Sequence, residues 1–211
     1  MSGVTPKRLK SENGETIAYL RRDGKSPGVI WLGGFHSDMN GAKAQALDYW
    51  AETRGRTFLR FDYYGHGASS GNFRKGTIGR WRDDALRVLD ELSAGPQLLV
   101  GSSMGAWIAL LTARLRPERI GALLLLAPAP DFTEVLIWDA LPDEARREIL
   151  EKGEWLRPSA YEAPYPITRA LIEEGRDHLL LHAPIRLACP VHILHGMKDA
   201  DVPWQIGRAH V

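Results

Sequence analysis

The chain has 211 residues, 44% of them hydrophobic, and a formal net charge of +1, which suits one domain with a well-buried core. Near-neutrality without clustered like charge excludes a nucleic-acid footprint or a polyanionic partner, and no apolar run approaches membrane-spanning length. The single cysteine, Cys189, excludes an internal disulfide; with a polar N-terminus that lacks a signal-peptide core, it predicts a cytoplasmic protein.

Thr16 to Leu20 reads as a short strand between turns at Asn13-Gly14 and Asp23-Gly24. Gly28 to Leu32 is a more apolar strand that runs into Gly33-Gly34-Phe35-His36. A helix follows from about Ala42 to Glu52, with Leu47, Trp50 and Ala51 on one face. Thr57 to Phe61 is the next strand and leads into Asp62-Tyr63-Tyr64-Gly65-His66-Gly67-Ala68-Ser69. Thr77 to Leu92 is an amphipathic helix, with Trp81, Ala85, Val88, Leu89 and Leu92 at helical spacing. Leu98-Leu99-Val100 and Ala122 to Leu126 are apolar runs of the kind buried on both faces of a parallel sheet. The fold class is therefore α/β, a mostly parallel sheet with helices on both faces and right-handed crossovers.

Between the last two strands lies Gly101-Ser102-Ser103-Met104-Gly105, a G-x-S-x-G sequence with a strand before it and the helical run Ala106 to Leu111 after it. A sharp strand-to-helix turn holds the central serine strained and exposed above the sheet, and glycines flank it because a Cβ would crowd the turn. Ser103 is the candidate nucleophile. The motif alone is weak, because glycine turns that merely pack a helix on a sheet look the same; the strand and helix around it strengthen the assignment.

From Pro128 to Ala188 the alternation stops in a stretch rich in Pro, Arg and Glu, with aromatics at Trp138, Trp155, Tyr161 and Tyr165. Its length predicts a lid of two or three short helices over the sheet, with Trp138, Trp155 and the loop residue His36 as candidate substrate contacts. Val191 to Leu194 resumes the sheet and ends in His195-Gly196-Met197-Lys198-Asp199-Ala200-Asp201-Val202-Pro203.

A serine hydroxyl needs a base to take its proton, and the base needs an acid to fix its tautomer. On a sheet of this kind the acid follows the serine at the carboxyl end of a later strand. Asp199 meets that requirement, with Asp201 as its rival. The oxyanion hole needs two backbone N–H groups: Met104 N–H, next to the nucleophile, and one from the loop after the Gly28–Leu32 strand, for which Phe35 is the candidate. No metal or cofactor is required by this chemistry.

These residues bring the chain to a family. Gly24-Lys25-Ser26-Pro27-Gly28, Met39-Asn40-Gly41, Arg60-Phe61-Asp62-Tyr63, the run from Gly95 to Gly105 and Leu194-His195-Gly196-Met197-Lys198-Asp199 resemble the α/β-hydrolase superfamily over the whole chain. Within it they resemble most the small serine esterases of the palmitoyl-protein thioesterase and acyl-glucuronide esterase subgroup. Position by position, the resemblance implies Ser103 as nucleophile, Asp199 as acid, and Phe35 and Met104 as oxyanion donors. The chain departs from the family's usual His-Gly before the oxyanion loop, carrying Gly33-Gly34 instead; a backbone donor does not require that histidine.

The family's catalytic histidine follows its acid by a helix, a strand and a loop, on the order of 25 residues, so it is expected beyond residue 211. His195 precedes the acid and reads as structural; His36 and His66 lie on loops above the sheet; His178, His182 and His192 read as lid and strand residues. Ile206 to Val211 can be back-translated to ATC GGA AGA GCA CAC GTC, similar to a common sequencing adapter, so residues 206–211 are expected to be non-native read-through after a hydrolase domain over 1–205. The last helix, strand and helix of the fold would then be missing, and the 211 residues alone would be close to inactive and poorly stable.

The function expected of the intact parent is hydrolysis of carboxylic esters or thioesters through an acyl-enzyme on Ser103, with a small-molecule or acylated substrate. The alternative is a non-catalytic binding domain on the same fold, since fold does not fix function. Ser103 excludes a dehalogenase of this superfamily, which would place an aspartate there.

Overall fold

Side chains of a strand alternate between its two faces, and here that alternation sorts the central apolar runs into two cores. In the computed structural model, which describes residues 5–158 and 164–208, the first elements are β1 (Lys7–Lys10), β2 (Thr16–Arg22), β3 (Lys25–Leu32), α1 (Ala42–Arg54), β4 (Arg56–Phe61) and α2 (Ile78–Leu92). They are followed by β5 (Gln97–Ser102), α3 (Met104–Leu115) and β6 (Ile120–Leu126). Ile30, Leu32, Leu59, Phe61, Leu99, Leu123 and Leu125 face one core, shared with α2 and α3. Val29, Trp31, Phe58 and Val100 face the other, against Ala44 and Ala51 of α1.

After β6 come a π-helical turn over Thr133–Trp138, α4 (Asp143–Lys152), β7 (Glu154–Arg157), β8 (Tyr165–Thr168), α5 (Arg169–Gly175), β9 (Val191–Leu194) and α6 (Trp204–Arg208). Among the described residues the main sheet has seven strands in the order β1-β2-β4-β3-β5-β6-β9. The strands from β4 to β9 are parallel, whereas β1 pairs antiparallel with β2, and β2 antiparallel with β4.

α3 is buried along nearly its whole length, from Met104 to Ala113, the mark of a helix enclosed on all sides. α2 is amphipathic: Ile78, Trp81, Ala85, Val88 and Leu89 are buried, and Thr77, predicted inside the helix, instead caps it by accepting the Arg80 N–H at 3.3 Å. On α1 only part of the expected face is covered. Trp50 is 40% exposed and, with Leu47, borders an apolar groove of about 510 Å³ over Leu98, Val100, Ala122, Leu124 and His192.

The lid holds the expected short helices, α4 and α5 among them, but not helices alone. It contains the antiparallel hairpin β7–β8, with Trp155 opposite Ile167 and Leu156 opposite Pro166. Four-residue strands fall below the length at which alternation is readable, and a proline inside a run argues against a strand. Tyr161 of the expected aromatic set lies outside the described residues, as does the end of the expected non-native tail, 209–211.

The loop after β4 is built on buried polar side chains. Asp62 accepts the Met39 N–H at 2.7 Å and the Ala68 N–H at 2.8 Å. Asp84, on α2, accepts the Tyr64 N–H at 2.7 Å, with the Arg80 guanidinium 3.8 Å away. The Tyr64 carbonyl accepts the Trp81 indole N–H at 3.0 Å and faces His66 Nδ1 at 3.1 Å. Burial raises the Asp84 carboxyl to about 6 and lowers the His66 imidazole to about 4.

The two shifts oppose each other in acid. Below its ordinary 6.5 His66 is protonated in the unfolded chain but not in the folded one, so stability falls as pH drops from 6.5 to about 4. Asp84 takes its proton first in the folded state, so its contribution rises as pH drops from about 6 to 3.8. At about 1.4 kcal/mol per unit each effect is of order 3 kcal/mol. Asp84→Asn removes the compensating member; urea melts of this variant should lose about 2–3 kcal/mol relative to wild type between pH 6.5 and 4. Parallel pH profiles for the two proteins would contradict the assignment.

Candidate active site

Ser103 stands where β5 becomes α3, with φ +54° and ψ −117°, a conformation that L-residues avoid. Its backbone is fixed on three sides. Ser103 N–H donates to Leu126 O at 3.0 Å, and Ser103 O accepts from Ala106 N–H at 3.0 Å and Ala129 N–H at 3.3 Å. A Cβ on Gly101 would collide with the Gly105 carbonyl, and one on Gly105 with the Leu32 carbonyl, so both flanking glycines are needed for close backbone approach rather than for a positive φ. Ser103 opens on a cavity of about 290 Å³ bordered by Trp31, Gly34, Phe35, Lys43 and Ser102. Met104 follows as the first residue of α3; N–H groups in a helix's first turn have no intrahelical carbonyl to bind and favour a negative charge.

The loop after β3 passes directly over the serine. Its turn from Gly34 to Ser37 is closed by Ser37 N–H to Gly34 O at 3.3 Å and by Ser37 Oγ–H to the same oxygen at 2.7 Å. A Cβ on Gly34 would lie 3.7 Å from Ser103 Cβ. Phe35 faces two ways. It borders the serine cavity, and its ring packs against Phe73 at 5.1 Å, Phe132 at 5.5 Å, Tyr165 at 5.7 Å and Trp81 at 5.8 Å between centroids. This aromatic hub joins the Gly34–Ser37 turn to the lid hairpin.

Asp199 lies on the loop after β9, two strands from β5 with β6 between, a separation of roughly 10 Å. One carboxylate oxygen accepts the Asp201 N–H at 3.0 Å and the Val202 N–H at 2.9 Å. Asp201 is exposed and serves this turn through its backbone, so the geometry favours Asp199 as the oriented carboxylate. His195 Nε2 lies 4.0 Å from the other Asp199 oxygen but 2.8 Å from Val202 O, where only N–H can face a carbonyl. It braces the acid's loop.

The remaining candidates stand apart from the serine cavity. His36 is half-buried, stacks on Tyr165 with centroids 5.5 Å apart, and borders a separate cavity of about 190 Å³ with Asp38, His66 and Phe73. Trp138 lies under the guanidinium groups of Arg176 at 5.2 Å and Arg146 at 5.8 Å. Trp155 is half-buried on β7. Neither tryptophan borders the cavity beside Ser103. The sequence reading missed the connection from His66 to the oxyanion loop: His66 Nε2 faces the His36 N–H at 3.3 Å. The run Asp62 to Ser69 was the available signal, because so dense a mixture of Gly, His and Asp after a buried strand marks a folded loop.

Comparison with known proteins agrees with this geometry. The mitochondrial palmitoyl-protein thioesterase ABHD10 of Mus musculus is 48% identical over 191 residues, covering 90% of this chain and 64% of that protein. Its Homo sapiens counterpart is 46% identical over 190 residues, covering 89% and 62%. The chain thus spans just under two thirds of the length of these curated relatives. Among solved structures, mouse alpha/beta hydrolase domain-containing protein 10 superposes with a TM-score of 0.87 at 42% identity, over 99% of this chain and 85% of that one. A protein from Agrobacterium vitis S4 superposes with a TM-score of 0.91 at 43% identity, over 97% and 83%.

The expectation of a cytoplasmic protein is corrected by these relatives, which are named as mitochondrial; a lone cysteine excludes an internal disulfide and does not tell one reducing compartment from another. Among the described residues no helix is long and apolar enough to cross a membrane. The description "Alpha/beta hydrolase family" matches residues 29–211, and by that match, its relatives and its strained serine turn the chain belongs to the alpha/beta hydrolase family.

Proposed function

We propose that the chain carries the nucleophile and acid of a serine hydrolase that cleaves carboxylic esters or thioesters. The observation that carries this reading is the left-handed Ser103 at the strand-to-helix turn, opening on a cavity that Phe35 borders, with the first residue of α3 next to it in the chain. A base takes the Ser103 Oγ proton as Oγ attacks the acyl carbon; the Phe35 and Met104 N–H groups receive the charge that develops on the acyl oxygen. The carbon–oxygen or carbon–sulfur bond then breaks, the protonated base returns its proton to the leaving alcohol or thiol, and water releases the acid by the same steps. Asp199 holds the base in its working tautomer. The relatives' name, palmitoyl-protein thioesterase, supports an apolar acyl group, and the rings around Phe35 are the apolar surface nearest the oxyanion loop.

The bracing role of His195 leaves the base to be located, which is also what a non-catalytic binding domain would show. Two forms separate the readings: the 211-residue chain, and the same chain extended with the C-terminal segment of the mouse relative. Turnover of a p-nitrophenyl acyl ester by the chain itself would place the base among its own seven histidines. Turnover only by the extended form would place it in the added segment, and none in either folded form would support a binding domain.

In the form that turns over, a serine-directed phosphonate should label Ser103. Ser103→Ala should abolish labelling and Ser102→Ala should leave most of it, as read by intact mass; the opposite result would move the nucleophile to Ser102. Asp199→Asn should lower kcat by about 10³–10⁴-fold with the fold intact, because the base would adopt the wrong tautomer. Asp201→Asn keeps the backbone bond that matters and should cost less than about tenfold. Equal losses at both positions would remove the assignment of Asp199.

A further inference from the structure

We propose that His66 is a positioning residue for the reaction: its Nε2 takes the His36 N–H and so anchors the Gly34–Ser37 turn, whose first peptide carries the Phe35 N–H that serves the acyl oxygen bound at Ser103. This rests on the reading of Phe35 as an oxyanion donor and adds a residue that does not touch substrate.

The tautomer follows from the partners. Nδ1 lies 3.1 Å from the Tyr64 carbonyl, which can only accept, so Nδ1 carries the hydrogen. Nε2 is then bare and accepts the His36 N–H at 3.3 Å. The assignment is locked from behind: the Tyr64 carbonyl also accepts the Trp81 indole N–H at 3.0 Å, and Asp84 accepts the Tyr64 N–H at 2.7 Å. The ring is 4% exposed and enclosed by the rings of Phe73 at 5.0 Å, Trp81 at 5.2 Å and Tyr63 at 5.8 Å. Such enclosure keeps the imidazole neutral and Nε2 available as an acceptor.

What this bond holds is a turn under tension. Gly34 to Ser37 has its third residue, His36, at φ +58°, where a type II turn requires a positive φ and ordinarily takes glycine. The alternative, type I, turns the Phe35–His36 peptide over and relaxes His36 to a negative φ. That change would exchange the places of the His36 N–H and the Phe35 carbonyl and set a carbonyl against His66 Nε2, so the bond to His66 holds the turn on which the Gly34–Phe35 peptide, and with it the Phe35 N–H, is carried. Histidine tolerates the left-handed conformation here because its N–H has an acceptor only in that orientation, while its ring lies on Tyr165.

The test uses two substitutions. His66→Phe keeps a ring and removes the acceptor; His66→Gln puts an amide oxygen near the place of Nε2. In the form that turns over ester, with active sites counted by phosphonate titration, His66→Phe should lower kcat about 10–100-fold while KM changes less than about twofold. His66→Gln should recover most of the loss. By ¹⁵N NMR, His66 of the wild-type chain should be the Nδ1–H tautomer, and His66→Phe should shift the Phe35 and His36 amides.

Unchanged kcat in folded His66→Phe would overturn the proposal, as would equal losses in two folded variants or a Nε2–H tautomer. If His66→Phe fails to fold, His66→Gln and the wild-type tautomer still decide. If wild type shows no turnover at all, the esterase reading fails, and the tautomer and amide shifts alone judge the positioning.

Discussion

The structure depends on keeping Ser103 in a backbone conformation that it would not adopt alone. A residue in such a region costs about 1–3 kcal/mol. Three hydrogen bonds meet at its peptide groups, to Leu126 O, from Ala106 N–H and from Ala129 N–H. At about 1 kcal/mol net for each, they are of the size needed to offset the strain. Their origins matter as much as their sum. Leu126 ends β6, Ala106 is in the first turn of α3, and Ala129 begins the lid, so the neighbouring strand, the helix and the lid root all fix one residue. Gly101 and Gly105 let the backbones of α3, β5 and β3 meet closely enough for this to happen.

A second constraint lies beneath the Gly34–Ser37 turn, where polar groups are buried next to aromatic rings. Unpaired, Asp62, Asp84 and His66 would each cost several kcal/mol. Each is paired instead, mostly with backbone: Met39 and Ala68 for Asp62, Tyr64 for Asp84, Tyr64 and His36 for His66. Such bonds favour one loop conformation over its neighbours, because any other leaves a carboxylate or an imidazole unsatisfied in a dry site. Apolar packing alone would hold the loop near the serine without choosing which peptide group faces it. The serine and the loop above it are thus ordered by different means, backbone strain relieved by neighbours in one case and buried polar satisfaction in the other.

The parts of this arrangement legible in the sequence are those with a short-range cause. β3 from Gly28 onward and β5 are buried on nearly all of both faces and β6 is buried on one and half-buried on the other, so they read as continuous apolar runs, and the serine turn needs its glycines within two residues. The loop that carries Asp199 was legible because it follows a strand directly. β1 was not, because Lys7-Arg8-Leu9-Lys10 is an edge strand whose charges guard an open side and look like a loop. The antiparallel pairing of β2 has no local signature either. Trp138 resembled a pocket residue because tryptophan is large and apolar, yet two arginines cover its ring. His66 could be placed only on a loop above the sheet, because only the folded loop shows which of its nitrogens meets which backbone group.

The lid is fastened by the same kind of polar contact that orders the site. Asp131, itself left-handed and buried, accepts the N–H groups of Leu180 at 2.8 Å and Leu181 at 2.7 Å, so the chain entering the lid is tied to the chain leaving it. Glu174 on α5 accepts the Gly79 N–H at 2.9 Å. α2 has no acidic residue in its own first turn, and the lid supplies the negative charge that this helix end favours. His178 Nε2 meets the same carboxylate at 2.8 Å, and its carbonyl accepts the Trp107 indole N–H at 3.1 Å. Lifting the lid as one body would strip the end of α2 and break the Gly79–Glu174 and Trp107–His178 bonds together, at about 1–3 kcal/mol each. The hairpin side is held differently, by Tyr165 against Phe35 and His36 and by the exposed ion pair of Arg74 with Glu154. Ring contacts slide at little cost, and an exposed ion pair contributes about 1 kcal/mol or less. The weaker seam of the lid therefore lies between Tyr165 and the Gly34–Ser37 turn, and a displacement there would move the rings that pack on Phe35.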